Sequence, residues 1–182
     1  MTETKSLSRR RMTVSRKTRE LVMGALTAAV YVVLTWLSSA FGLAYAGVQL
    51  RLSEALCVLP AFTPSAVIGL TVGCALSNIT SPFGLVDVVC GSAATLIAAL
   101  LARAISRSHS RAARWLIPLP AVAVNALVVG AEVAAFSGEA FAPVFALTCM
   151  QVGVGQLLAC YGLGMPLYFA VKKHMSALTD SR

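Results

Sequence analysis

The chain has 182 residues, of which 58% are hydrophobic and only 12% charged, against about 45–50% and about 25% in soluble domains. That balance excludes an ordinary soluble domain and points to an integral membrane protein the size of one helical bundle. The net charge of +8 would suggest nucleic acid in a soluble protein, but the placement of the cations gives it another meaning.

Seven of the 15 Lys and Arg residues lie between Lys5 and Arg19, four more are Arg103, Arg107, Arg111 and Arg114, and three are Lys172, Lys173 and Arg182. Short segments rich in Lys and Arg stay cytoplasmic. Three segments, both termini included, are therefore expected inside, in a multi-pass protein of a prokaryotic plasma membrane. The charge is topology, and no nucleic-acid partner is expected. Arg51 stands outside all three segments. The apolar runs are long and rich in Ala, Leu and Gly, so an all-α bundle is expected rather than a barrel of short alternating strands.

In chain order, residues 1–20 read as a basic cytoplasmic arm lying near the anionic lipid headgroups of the bilayer. Leu21 to Phe41 is the first predicted span; Ala44-Tyr45-Ala46 mimics a signal-cleavage site, but the apolar run exceeds a signal core of about 7–15 residues. Ala25 and Ala29 are four apart and share a helix face where another backbone can approach closely. After a Gly42–Gly47 loop comes VQLRLSEALCVLP, Val48 to Pro60. As an α-helix it would measure about 20 Å, short of a hydrocarbon core of about 30 Å. Ser65 to Thr80 is a further apolar stretch. Because the basic segments ending at Arg19 and beginning at Arg103 both lie inside, an even number of crossings separates them. Two short crossings with a turn at Pro60–Pro64 satisfy that parity. Asp87–Ala102, Leu116–Phe136 and Pro143–Val171 complete a six-helix transmembrane domain over residues 21–172, followed by a cytoplasmic tail over 173–182.

Polar groups at membrane depth cost roughly 2.5–3.5 kcal/mol each when charged and are functional candidates by default. The charged ones are Arg51, Glu54, Asp87 and Glu132, joined by Gln49, Asn78, Asn125, Gln151 and Gln156. On a helix Arg51 and Glu54 would share a face, so a mutual ion pair competes with a ligand-binding role. Asp87 near a helix N-terminus is equally open to a capping role. Asn125 and Glu132, seven apart, point the same way. Carboxylates and amides together can recognise a planar molecule with mixed donors and acceptors, such as a purine, and Tyr45, Trp36 or Phe83 could supply a stacking face. The five cysteines have no metal or redox spacing and read as small core residues. His109 and His174 fall in basic segments, so no metal site is expected. There is no phosphate-binding G-x-x-x-x-G-K-[ST] loop; a pump of this kind would draw energy from partners or from an ion gradient.

Four blocks carry a resemblance: VQLRLSEALCVLPAFTPSAVIGLTVGCALSN at Val48–Asn78, DVVCGSAATLIAALLAR at Asp87–Arg103, LPAVAVNALVVG at Leu119–Gly130 and LLACYGLGMPL at Leu157–Leu167. In these the chain resembles the QueT family, membrane substrate-binding (S) components of energy-coupling factor transporters. The resemblance implies a six-helix subunit, not itself an enzyme and without a cofactor of its own. It would bind a queuosine precursor, a 7-deazaguanine, and work with a transmembrane coupling subunit and two cytoplasmic ATPases that use ATP. It carries over Arg51, Ser53 and Glu54 from the R-[IV]-S-E-A-L block, and Asn78, Asp87 and Asn125 from the GC-x-x-x-N, D-[IV]-V-x-G and NAL blocks. Ala25-x-x-x-Ala29 looks like the family's docking motif for the coupling subunit. One departure stands out: the sixth span often reads G-E in this family, whereas here Gly155 precedes Gln156. The expected substrate-binding set is Gln49, Arg51, Glu54, Asn78, Asp87, Asn125, Gln151 and Gln156. The competing readings are a self-sufficient ion-coupled carrier, an S component for another vitamin-like solute, and a structural membrane protein whose buried charges merely pair.

Overall fold

The computed structural model describes residues 15–43, 49–108 and 110–180. The arm before Ser15, the Ala44-Tyr45-Ala46 sequence and His109 lie outside the described residues. What is described is all-helical: α1 (Arg16–Ala40), a 3-10 helix (Leu52–Ala61), α2 (Ser65–Asn78), α3 (Leu85–Ser106), α4 (Arg111–Leu116), α5 (Leu119–Phe136), α6 (Phe141–Leu157), a π-helical turn (Leu158–Gly164) and α7 (Met165–Asp180). Four helical rods are long and apolar enough to cross a membrane: Arg16–Ala40, Leu85–Ser106, Arg111–Phe136 and Phe141–Ala177. Leu52–Ala61 and Ser65–Asn78 are apolar but shorter.

The sidedness of α1 shows what solvent the fold is built for. Its buried positions include Thr27, Thr35 and Ser38, while Leu26, Val33 and Leu37 face outward. A water-soluble helix distributes these the other way round; lipid tails accept the outward leucines, and polar side chains find partners only inside.

Packing follows an arc: α1 on α2, α2 on α3, α3 on α5 and α5 on α6. The 3-10 helix sits within this arc and touches α1, α2, α3, α7 and the π turn. Small residues set the spacing of the first seam. A Cβ on Gly73 would stand 2.8 Å from Tyr31 Cβ and 3.0 Å from the Ala28 carbonyl, and one on Gly69 would stand 2.8 Å from Thr27 Cβ. The backbones of α1 and α2 therefore approach as only glycine permits. Two apolar clusters back the arc, one around Tyr31, Leu56, Leu70 and Cys74, the other around Val58, Ile117, Val122 and Cys160.

Several expected bounds shift. The segment after the first loop is not an α-helix from Val48 but a 3-10 helix that begins at Leu52 and includes Pro60. Arg51 precedes it in extended conformation. The turn expected at Pro60–Pro64 falls at Phe62–Pro64, with Phe62 N–H bonded to the Leu59 carbonyl at 2.9 Å. Pro118 interrupts the Arg111–Phe136 rod, where a ring without N–H cannot continue the ladder from α4. Helix α1 starts at Arg16, inside the basic arm, and α7 runs on to Asp180. Cys57, Cys74 and Cys160 are buried, Cys90 and Cys149 half-buried, and all five are free.

Replacing Gly73 by Ala should lower the thermal unfolding temperature of the purified protein, by an amount corresponding to about 1–3 kcal/mol of overpacking. A Cβ added at Gly162 would meet nothing within 4 Å, so Gly162→Ala should melt like wild type; equal melting of both variants would remove the close α1–α2 approach.

Candidate functional site

The backbone of the 3-10 helix is anchored to α1 by side chains one helical stripe apart. Thr27, Tyr31, Thr35 and Ser38 recur at helical spacing. Ser38 Oγ accepts from Leu52 N–H at 2.9 Å, and Thr35 Oγ1 donates to Ser53 Oγ at 2.8 Å. Tyr31 Oη donates to Glu54 Oε1 at 2.7 Å. From the far side of the bundle, Asn125 Nδ2 on α5 donates to Glu54 Oε2 at 3.3 Å. Each oxygen of this buried carboxylate thus receives one donor, and lone pairs remain on both. The Cys160 thiol, with one proton to give, lies within donating reach of both the Glu54 carbonyl (3.5 Å) and Gln156 Oε1 (3.4 Å), which brings α6 and the π turn to the same segment.

Arg51, three residues earlier, points to another pair of helices. Its Nη2 stands 3.6 Å from Asp87 Oδ2 on α3, and its Nη1 donates to Asn78 Oδ1 at the end of α2 at 3.2 Å. Asn78 completes the triangle: its Nδ2 donates to the Asp87 carbonyl at 3.0 Å and to Asp87 Oδ1 at 3.3 Å. An amide can bond both partners because its oxygen accepts from the guanidinium and its nitrogen donates to the carboxylate. Gly91 makes room for it, since a Cβ there would lie 2.5 Å from Asn78 Nδ2 and 3.1 Å from Asp87 Oδ1. All three polar side chains are buried.

The Arg51–Glu54 pairing open in the sequence is thus not the ion pair that forms; Arg51 pairs with Asp87. The extended backbone at Arg51, outside the helix that carries Glu54, sends the two side chains apart. Asp87 does not cap its helix either. The N-cap is Gly84, at φ +59°, and Asp87 lies within the first turn with its carboxylate turned to Arg51 and Asn78.

The remaining candidates divide. Gln49 is half-buried, and its backbone runs against Gly155, where a Cβ would collide with the Gln49 carbonyl. Gln156 is buried on the thiol of Cys160. Gln151 is half-buried on α6. Of the aromatic candidates, Trp36 is exposed, Phe83 half-buried, and Tyr45 lies outside the described residues. Ala25 and Ala29 are both exposed on α1. The α1 residues that pack on α2 are Gly24, Thr27, Ala28 and Tyr31 instead.

Tyr31 is the residue that sequence reasoning missed. Its signal was the polar stripe Thr27, Tyr31, Thr35 and Ser38 running down an otherwise apolar span. Glu132 is also buried, and neither of its oxygens has a hydrogen-bond partner. Between Tyr31, Glu54, Thr95, Ala98 and Asn125 lies a void of about 10 Å3, room for about one water. No group of three or more metal-ligating side chains occurs among the described residues.

Removing one member of a buried ion pair strands the other, at a cost of about 3–5 kcal/mol. Asp87→Asn should therefore reduce thermal stability sharply, and the double variant Arg51→Met, Asp87→Leu should regain most of it. A double variant as unstable as the sum of its parts would show that the pair is not the coupled unit.

Comparison with known proteins adds two matches. The family model described as QueT transporter matches residues 21–173. A curated protein of Lactococcus lactis subsp. cremoris (strain MG1363), described as queuosine precursor transporter QueT, is 38% identical over 81 residues. That alignment takes in 44% of this chain and 47% of the relative, so it spans about half of the relative's length. No solved structure matches.

Proposed function

The chain belongs to the QueT transporter family, and on that premise we propose that it is the substrate-binding subunit of an energy-coupling factor importer for a 7-deazaguanine. The observation that carries the reading is the set of buried polar side chains around the 3-10 helix. Arg51, Glu54, Asn78, Asp87 and Asn125 are all shielded from solvent in a multi-pass membrane protein. Burial of that many charges and amides is costly in a bilayer, and mere cohesion of helices is available more cheaply from the glycine seam of α1 and α2.

The chemistry fits the base. The Glu54 carboxylate has lone pairs left to accept from a ring N–H and its neighbouring amino group, as guanine offers. Asn78 and Asn125 can each pair a donor and an acceptor at once. The void beside Glu54 holds a water and not a bicyclic ring, so binding requires the polar side chains to separate and exchange their mutual bonds for bonds to the solute. In this reading all six helical rods cross the cell membrane with both termini in the cytoplasm, and the solute is captured from outside.

Uptake would then need partners: a transmembrane coupling subunit and two ATPases that hydrolyse ATP. The exposed Ala25 and Ala29 lie on the α1 face beside a groove of about 490 Å3 between α1 and α2, lined by Gly24, Ala25, Ala28, Ile68 and Gly69. This small-residue surface suits close approach of another helix and is the proposed docking face. A ligand can bias outward and inward states only by its differential affinity for them, so binding and docking should be separable by mutation.

The decisive experiment is equilibrium binding of 7-deazaguanine bases to the purified protein, with riboflavin as an unrelated vitamin. Saturable binding of at least one deazaguanine is expected; none would sink the substrate. Glu54→Gln should weaken binding by about tenfold or more, through loss of a charge-assisted bond, while the protein still folds. Ala25→Leu and Ala29→Leu should keep solute binding and lose co-purification with the coupling subunit, and unchanged assembly would remove the docking role.

A further inference from the structure

Glu132 is the buried ionisable group that the network above leaves out. It is 6% exposed, and both carboxylate oxygens lack a hydrogen-bond partner. Its place follows from the packing of α3 against α5. Ala102 packs with Ile117 and Ala121 in one cluster, and Thr95 and Ala98 line the same void as Asn125. The two helices are therefore antiparallel. Two turns on from Asn125 along α5 is Glu132, and two turns back from Thr95 along α3 is the turn of Asp87 and Gly91. The charges that act on Glu132 are accordingly those of Asp87 and Arg51.

The charges in this part of the bundle do not balance. Among the described residues the buried ionic groups are three carboxylates, Glu54, Asp87 and Glu132, and one guanidinium, Arg51. Arg51 is committed to Asp87 and Asn78, and Glu54 is held by Tyr31 and Asn125. Glu132 has neither a cation nor a neutral donor among the described residues. A buried carboxylate left so is expensive, and a stable fold retains one where something outside the chain completes it.

We propose that Glu132 is the subsite for a cationic amine carried by the solute, and so selects 7-deazaguanines with a protonated aminomethyl-type substituent over those with a neutral one. The assignment rests on the deazaguanine reading above. The base lies toward Glu54 and Asn125, its substituent toward Glu132. The ammonium donates to the two orphan oxygens and brings one of the missing positive charges.

The test measures binding of 7-aminomethyl-7-deazaguanine and 7-cyano-7-deazaguanine to wild type, Glu132→Gln and Glu132→Asp, together with melting of each protein without solute. Wild type should favour the aminomethyl base by about ten- to a hundredfold, the range of a charge-assisted bond. Glu132→Gln should lose that preference by weakening only the aminomethyl base, Glu132→Asp should keep part of it, and both should melt no lower than wild type. Wild type that binds both bases equally, or a preference untouched in Glu132→Gln, overturns the subsite while leaving the deazaguanine reading intact. A Glu132→Gln protein that melts far below wild type makes Glu132 a structural group and also overturns it. Wild type that binds neither base overturns the subsite, and wild type that binds no 7-deazaguanine at all refutes the deazaguanine reading itself.

Discussion

One cross-link holds the polar interior in place: the Arg51 guanidinium bound to Asp87 and, through Asn78, to the end of α2. A charge in a membrane bundle cannot be left to water, so its partners must be brought to it by the fold. Here they come from two helices that meet at a tight turn, and the third helix-like element, the 3-10 segment, starts where Arg51 is tied. The same tie fixes the register of everything after it. With Arg51 clamped at one end and Phe62 turned at the other, Ser53 and Glu54 have a single way to face α1. The hydroxyls of Tyr31, Thr35 and Ser38 are spaced to receive them.

The division of labour between seams is equally physical. Helices α1 and α2 meet through glycines and small side chains, with backbone nearly on backbone. Such contact supplies dispersion without a hydrophobic drive, which lipid cannot provide. Polar bonds do the rest at the centre. Their partners are matched by kind, an acceptor-only carboxylate facing a phenol and an amide nitrogen, and an ambivalent amide placed between a cation and an anion. Glu132 departs from this matching, and that is why it has meaning beyond cohesion.

Much of this was legible in the residues. The long apolar runs gave the four long rods within a few residues. Arg51, Glu54, Asn78, Asp87 and Asn125 were all visible as charges or amides in oil, and the structure brings them to one region. What the residues did not reveal was who meets whom. The spacing of Arg51 and Glu54 suggested a shared helix face, but that inference assumed that both residues lie in one helix; the helix begins at Leu52, and Arg51 before it is extended. Tyr31 escaped notice because a tyrosine in a membrane span is read by its ring, and its hydroxyl matters only once a carboxylate is found opposite. The face of α1 that packs on α2 carries Gly24 and Ala28, a stripe beside Ala25 and Ala29 that satisfies the same small-residue spacing rule. Propensity cannot say which of two adjacent stripes meets the neighbour in the chain.

The winding of the Leu52–Ala61 segment also sets a length. Ten residues in a 3-10 helix rise about 20 Å, and the same ten as an α-helix about 15 Å. A 3-10 run this long has poorer backbone bonds and is uncommon, so it stays stretched because its ends are held apart, by Arg51 on one side and by the Phe62–Pro64 turn and the Arg103 bond to the Pro60 carbonyl (3.1 Å) on the other. The polar side chains are in this sense the pegs of a taut string, and they hold the segment about 5 Å longer than the same residues would measure in an α-helix.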